Sequence, residues 1–200
     1  MQVEPVTLEG AIVRLEPLAA EHLEDLIAIG LDPELWRFTT SRTATPDEMS
    51  AYVETALAER RAGVSLPFAT VERATGRVVG STRFGSIAPE HRRCEIGWTW
   101  IARTWQRTAV NTEAKYLMLR HAFEEWGCIR VELKTSARNE RSRRAILRIG
   151  AREEGTLRQH MINADGSRRD TVYFSIIDRE WPGVRARLEA RLAGMDLTGS

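Results

Sequence analysis

The sequence is poor in the residue types that mark several classes of protein. It has two cysteines, Cys94 and Cys128, far apart and without the spacing of a zinc site or a disulfide framework. Lysine is nearly absent, because Lys115 and Lys134 are the only two among 29 basic residues. No apolar run approaches the roughly 18 residues that a membrane span needs, and the first ten residues lack the apolar stretch of a signal peptide. The sequence therefore predicts an untargeted, cytoplasmic protein with no metal site and no membrane contact.

Neither sign of charge dominates the chain. The 29 basic and 28 acidic side chains leave a formal charge of +1 over 200 residues, of which 42% are hydrophobic. A protein that binds nucleic acid usually has a marked basic excess, because contacts to phosphates supply much of its affinity. The balance argues against nucleic acid as a partner, and the length predicts one compact domain over residues 1–200.

Hydrophobic periodicity predicts a chain of alternating helices and strands. The longest helical pattern, 111–126, is apolar on more than one side and is expected to lie between two layers. Turn residues at 74–76 and 164–166 predict two β-hairpins. The order predicts an α+β or mixed α/β sheet with helices packed on it. The predicted strands are 11–18, 67–72, 77–86, 94–102, 129–134, 156–162 and 168–177, and the predicted helices are 21–30, 46–63, 111–126, 142–149 and 182–192.

The loop that enters the longest predicted helix is a candidate anion site. Residues 106–111 lead into the helix, and the unpaired N–H groups at a helix amino terminus bind pyrophosphate or another anion. The alternative interpretation is an ordinary helix start, capped by Asn111 and with Arg107 in solvent. The loop alone does not decide between the two.

Several motifs in a fixed order carry a resemblance to a known family. They are E-I-G-W from Glu95, a Gln/Arg loop, an E-A-K-x-L helix, the strand I-R-V-E-L-K-T from Ile129, and N-x-x-S from Asn139 opening a helix before Gly150. In this order they resemble the GNAT superfamily of acyl-CoA-dependent N-acetyltransferases. The N-x-R-S-R-R pattern and the closing D-T-V-Y-F-S-I-I-D-x-E-W resemble the RimJ/RimL-like branch, which acetylates protein amino termini, including those of ribosomal proteins.

The resemblance implies a fold and a place for the cofactor. It implies a GNAT-like core over about residues 8–180, with a C-terminal helix or tail over 181–200. The central sheet is then twisted and mostly antiparallel, with helices on both faces and a splayed central strand pair that holds the pantetheine arm of acetyl-CoA. The pyrophosphate is expected on the loop 106–111. The implied cofactor-binding residues are Trp98, Thr99, Trp100, Gln106, Arg107, Thr108, Ala109, Val110, Asn111, Asn139 and Ser142. Arg144, with Arg141 and Arg143 as alternatives, is a candidate for clamping the CoA phosphates bidentately, because of its charge and its place beside Asn139.

The chain departs from the family pattern at two places. Ala109 and Asn111 stand where the family's loop usually has small residues led by glycine, although asparagine tolerates a left-handed backbone. Ile146 stands where many members have the tyrosine that protonates the leaving thiolate. Ser142 or Tyr173 would then supply that proton.

Acyl transfer to an amine also requires a base. Glu95 and His160 are the candidate bases, directly or through a water, and both are expected beside the acceptor amine. The alternatives are a Glu95 carboxylate paired with a neighbouring arginine and a His160 at the surface. Trp36 is a candidate wall of the acceptor pocket, whereas Trp98 and Trp126 are expected to pack in the core.

Together these features predict acetyl transfer from acetyl-CoA to a primary amine by direct attack in a ternary complex. The acceptor is a protein N-terminal α-amine or a small-molecule amine, and a homodimer is one of the predicted forms. Residues 130–170 carry eleven basic and six acidic side chains, an excess of +5 that suits a small polyanion such as CoA. A binding module of the same fold with little or no catalysis is the alternative, and nucleic-acid binding through the basic stretch ranks last.

Overall fold

The computed structural model describes residues 1 and 3–196, which form eight strands and six α-helices. A π-helical turn, His121–Glu125, continues the fourth helix. The strands are β1 (Leu8–Glu9), β2 (Val13–Pro17), β3 (Leu66–Glu72), β4 (Val78–Ala88), β5 (Arg93–Ile101), β6 (Arg130–Ser136), β7 (Arg152–Ile162) and β8 (Arg168–Ile177). The helices are α1 (Leu23–Gly30), α2 (Pro33–Trp36), α3 (Pro46–Arg61), α4 (Val110–Arg120), α5 (Glu140–Arg148) and α6 (Trp181–Asp196).

All eight strands belong to one sheet, in the order β1-β2-β3-β4-β5-β6-β8-β7. Neighbouring strands are antiparallel except for the central pair β5 and β6, which is parallel. The predicted mixed α/β class, with a mostly antiparallel sheet, is confirmed. The parallel pair requires a crossover connection, and α4 supplies it.

The helices cover the two faces of the sheet unequally. Apolar residues of α4, α5 and α6 pack with those of most strands in one large cluster, on what we call the α4 face. A smaller cluster lies between α1–α3 and strands β3–β5, on what we call the α3 face. Thr45 caps α3 by accepting a hydrogen bond from the Glu48 N–H at 3.2 Å, and Pro46 begins the helix, as the sequence predicted.

The two central strands separate after a short paired segment. β5 pairs with β6 only from Arg93 to Glu95, opposite 130–132. Beyond that point β5 continues along β4 to Ile101, while β6 continues along β8 to Ser136. The predicted splayed pair is confirmed, and the backbone groups of β5 that face the gap lack a strand partner.

A β-bulge lies on β5 at the gap. Arg83 of β4 pairs with Gly97 and Ser81 pairs with Trp100, so two residues of β5 stand opposite one residue of β4. Trp98, inside the bulge, has a left-handed backbone with φ +49°. Bulges redirect side chains next to functional sites, and this one redirects Trp98 and Thr99.

Four elements differ from the predicted ones, and the first is the two-residue strand β1, which the predicted strands did not include. α2 forms where an irregular segment was expected, and the helix predicted over 111–126 changes to π-helical hydrogen bonding after Arg120. β7 begins at Arg152 rather than at 156. Its first residues were not predicted as strand, because β7 is an edge strand exposed on both faces and lacks an apolar alternation. The helix of the predicted C-terminal tail spans 181–196, and residues 197–200 lie outside the described part of the chain. No helix within the described ranges is long and apolar enough to cross a bilayer.

Candidate active site

A cluster of polar side chains lies on the α3 face, beside the bulge of β5. The Glu95 side chain is 3% exposed, and its Oε2 accepts hydrogen bonds from Lys134 Nζ at 2.8 Å and from Ser86 Oγ at 3.2 Å. Lys134 Nζ lies 5.8 Å from the centre of the Tyr173 ring, which meets the His160 ring edge-on at 5.7 Å. Thus the structure brings together three residues that the sequence singled out, Glu95, His160 and Tyr173. Lys134 is the residue that joins them, and sequence reasoning missed it.

Trp98 covers this cluster instead of packing in the core. Its side chain is exposed, lies 5.2 Å from the guanidinium of Arg83 and 5.8 Å from Lys134 Nζ, and so makes two cation–π contacts. The core prediction for Trp98 was wrong because the bulge turns this side chain out of the regular alternation. Arg83 is itself 2% exposed, pairs with Glu59 at 2.8 Å and lies over the Tyr52 ring.

Two glycines make room for the cluster. A Cβ at Gly97 would come within 2.9 Å of Glu95 Oε1, and a Cβ at Gly85 would come within 2.4 Å of the Trp98 ring. Side chains at these positions would displace the carboxylate and the indole.

Behind the bulge, on the α4 face, lies a second polar group. Lys115 is 6% exposed, and its Nζ donates to Thr82 Oγ1 at 3.1 Å and to Thr99 Oγ1, while the two hydroxyl oxygens are 2.7 Å apart. Among the described residues no carboxylate forms an ion pair with this lysine. Burial lowers the pKa of Lys115 from 10.5 to about 7, because the charged form loses its hydration. The signal available in the sequence was the scarcity of lysine, since both lysines of the chain lie in these two clusters.

A cleft opens where the C-terminal ends of β5 and β6 diverge. Its volume is about 420 Å³, within the usual range of ligand sites. Gln106 spans its rim, donating to the Ile101 carbonyl oxygen and accepting from Arg141, both at 2.8 Å. Four arginines and two glutamates leave the lining basic, which suits a polyanion. The lining residues are Glu34, Leu35, Phe38, Arg103, Gln106, Arg138, Asn139, Glu140, Arg141 and Arg144.

Beside the cleft, α4 starts without a side-chain cap from Ala109, its N-cap residue. The Thr108 hydroxyl accepts from the Val110 N–H at 3.3 Å, so the alternative in which Asn111 caps the helix was wrong. Asn111 Oδ1 is buried and has no hydrogen-bond partner within the described part of the chain. Arg107 is exposed, with φ +66°. The start of α4 thus offers N–H groups and positive charge to an anion.

The start of α5 forms another part of the cleft. Asn139 Oδ1 caps the helix by accepting from the Ser142 N–H at 3.0 Å. Ser142 is partly buried there, and among the described residues its hydrogen bond is to Asn139 rather than to the Glu95 cluster. Arg144 lines the cleft one turn further on, and Ile146 is buried in the core.

The other aromatic candidates lie in the core. Trp36 is 7% exposed, and its ring lies 5.3 Å from that of Tyr52 and 5.5 Å from that of Trp100. The structure therefore agrees with core packing for Trp36 and does not place it on a pocket wall. Trp126 is buried against Phe84, as expected.

Comparisons with known proteins agree with this geometry. The family model described as the acetyltransferase (GNAT) domain matches residues 13–152. YdaF of Bacillus subtilis (strain 168), named provisionally as a ribosomal N-acetyltransferase, is 34% identical over 108 residues, which are 54% of this chain and 58% of that protein. The chain thus matches somewhat more than half the length of this curated relative.

Solved structures match over nearly the full length. A crystal structure from T. thermophilus, described provisionally as an acetyltransferase, is 40% identical with a TM-score of 0.87 and covers 96% of this chain and 100% of that one. Mycobacterium smegmatis RimJ in complex with CoA-disulfide is 26% identical with a TM-score of 0.78, covering 96% and 93%. Because the family model spans well over half of the sequence and the splayed sheet is present, the chain belongs to the GNAT acetyltransferase family.

Proposed function

We propose that this protein transfers the acetyl group of acetyl-CoA to a primary amine, by direct attack of the amine within a ternary complex. The observation that carries the proposal is the gap between β5 and β6, which runs from the basic cleft at its open end to the buried Glu95 cluster where the strands meet. A long ligand with phosphates at one end and a reactive thioester at the other matches that distribution of charge.

The residues of the cleft and the gap fit CoA. The start of α4 and Arg144 surround the position proposed for the phosphates, with Asn139 beside the pantetheine. The backbone groups of 98–100 face the gap without a strand partner and are available to the pantetheine amides and the thioester. Bound acetyl-CoA supplies an activated acyl group. The RimJ relative in complex with CoA-disulfide supports this assignment.

Glu95 is the proposed base. Both of its hydrogen bonds go to Oε2, and Oε1 faces Gly97 at the start of the bulge. We propose that Oε1 takes the proton of the amine, directly or through a water, as the C–N bond forms. An α-amine, with a pKa near about 8, requires less of this base than an alkylamine near about 10. His160 is the second candidate, placed at the edge of the Tyr173 ring.

The oxyanion and the leaving thiolate require donors. Backbone N–H groups of the bulge, which Lys115 supports from behind through Thr99, are the proposed donors to the oxyanion. The thiolate takes a proton as the C–S bond breaks. Tyr173, beside Lys134, is the proposed acid, and Ser142 at the start of α5 is the alternative.

The acceptor and the assembly form a further part of the proposal. The apolar cluster under α1–α3, as described, contains no residue of β6 or β8. We propose that a chain terminus approaches Glu95 from that part of the α3 face, and YdaF is named for a ribosomal acceptor. We therefore favour a protein amino terminus in the cytoplasm over a small amine. The exposed edge strand β7, with Leu157 47% and Ile162 61% exposed, favours a homodimer through this strand.

The test combines CoA binding with thiol release from acetyl-CoA over a panel of amines and peptides. We expect binding and acceptor-dependent release, a kcat at least about 100-fold lower in Glu95→Gln, and a smaller loss in Tyr173→Phe. Ser86→Ala, which leaves the carboxylate in place, is the matched control. Binding without acceptor-dependent release would favour the non-catalytic module, and the absence of CoA binding would contradict both functions.

A further inference from the structure

One buried cation near Glu95 has no carboxylate partner among the described residues. Arg169 of β8 is 8% exposed. Its Nη1 reaches only the Phe38 carbonyl oxygen, at 3.5 Å, and its Nε has no hydrogen-bond partner. The adjacent acid on the chain, Asp170, accepts instead from the Gln159 N–H. Such a burial is costly, because a desolvated guanidinium normally requires a counter-charge.

The charges around Arg169 do not compensate for it. Lys134 and Glu95 neutralise each other at 2.8 Å, and Arg83 and Glu59 do so at the same distance. One positive charge, that of Arg169, is therefore left over. Arg169 lies on the same face of β8 as Tyr173, and Tyr173 stands opposite Lys134, the partner of Glu95, in the sheet register. The guanidinium therefore lies on the strand face that carries the Glu95 cluster.

A second unpaired group lies on the same face of the same strand. Thr171 is two residues beyond Arg169, so the two side chains point to one side of β8. Its hydroxyl oxygen is fully buried and lacks a hydrogen-bond partner within residues 1 and 3–196. A guanidinium and a hydroxyl on one strand face form a donor pair that suits a carboxylate.

We propose that Arg169 is a specificity-determining residue that binds a carboxylate of the acceptor, so that the preferred acceptors are primary amines bearing a carboxylate near the amino group. This inference rests on the proposed function. Within the site, Glu95 receives the amino group and Arg169 receives the carboxylate. CoA phosphates are assigned to the arginines that line the cleft, which do not include Arg169.

The test compares acceptors that differ only in a carboxylate: serine with serinamide, and a peptide beginning Ser-Glu with one beginning Ser-Gln. The wild-type protein is expected to prefer the acid at least about 10-fold in kcat/KM in one pair or both. Arg169→Met is expected to lower kcat/KM for the preferred acid about 10- to 100-fold and to change the matched amide less than about 2-fold. Arg169→Lys, which keeps the charge but not the fork, is expected to retain part of the preference.

Arg168→Met is the matched control, because Arg168 is the exposed neighbour on β8 and its loss changes the net charge equally. The Arg168→Met variant is expected to keep the wild-type preference for the acid over the amide in kcat/KM. Equal use of acid and amide by the wild-type protein in both pairs would overturn the proposal without requiring any variant. An equal loss for acid and amide in Arg169→Met, or a loss of CoA affinity in that variant, would also overturn it. If no amine releases thiol, the proposed function itself fails, and this inference with it.

Discussion

Replacing Lys115 with methionine should stabilise the protein in a manner that depends on pH. Methionine keeps the length of the side chain and removes the charge. In the unfolded chain the lysine titrates near 10.4, whereas burial lowers its pKa in the folded protein to about 7. Below pH 7 both states hold the proton, and the folded state bears the full cost of burying the charge. Above about pH 10 both are neutral and the cost is absent.

The two pKa values set the magnitude. The folded and unfolded pKa values of Lys115 differ by roughly three to three and a half units, so burying its charge costs the wild-type protein about 4 to 5 kcal/mol of folding free energy at pH 6. At pH 9 this cost is smaller by about 2 to 3 kcal/mol. The hydroxyls of Thr82 and Thr99 lose a donor in the variant, which costs about 1 to 3 kcal/mol at every pH. We therefore expect the free energy of unfolding of Lys115→Met, relative to wild type, to be highest near pH 6 and to decline towards pH 9.

Urea unfolding at pH 6, 7.5 and 9 measures this difference directly. Leu117→Met, a buried substitution on the same helix that removes no charge, is the control and should show no pH-dependent difference from wild type. If the difference between Lys115→Met and wild type is the same at pH 6 and pH 9, Lys115 does not change its protonation in the folded protein over this range. The reasoning from its burial would then be refuted.

Three further substitutions test other parts of the site. Thr99→Val removes the hydroxyl that Lys115 binds and should lower kcat about 10-fold with little change in the KM for acetyl-CoA. Thr99→Ser keeps a hydroxyl and should restore kcat. A kcat of Thr99→Val equal to that of the wild type would show that the hydroxyl is not required. Arg144→Gln should raise the Kd for CoA about 3- to 10-fold at low salt and less at high salt, whereas exposed Arg148→Gln on the same helix should not; equal effects would contradict a specific phosphate contact. Gly97→Ala, whose Cβ would approach Glu95 Oε1 within 2.9 Å, should lower kcat at least about 10-fold while CoA binding is retained, and wild-type turnover would argue against Oε1 as the base.

Local signals predicted the elements whose structure depends on neighbours along the chain. The hairpin between β7 and β8 turns through Gly166 with φ +80°, as the turn residues indicated. Thr45 and Pro46 start α3 for the same local reason. The first residues of β7 were missed because an exposed edge strand has no apolar alternation to read.

The sequence also predicted part of the site. Glu95, His160 and Tyr173 were selected from a resemblance and from their chemistry, and the fold brings them to one face of the sheet. Trp98 was assigned to the core because tryptophan usually packs there, and the pattern could not show that a bulge would turn it outward. A bulge adds one residue on one strand only, so its effect depends on the register with the partner strand.

The sequence by itself determined the class of fold, the family and the residue types available for chemistry, because these follow from local patterns and from motif order. Only the tertiary structure decided which charges meet. Lys134 is 39 residues from Glu95 and Thr82 is 33 residues from Lys115, yet both pairs are in contact. The near absence of lysine became informative only then, because β6 places Lys134 beside the proposed base and α4 places Lys115 behind the bulge. Whether a buried charge is paired depends on distances across strands, which spacing along the chain does not contain.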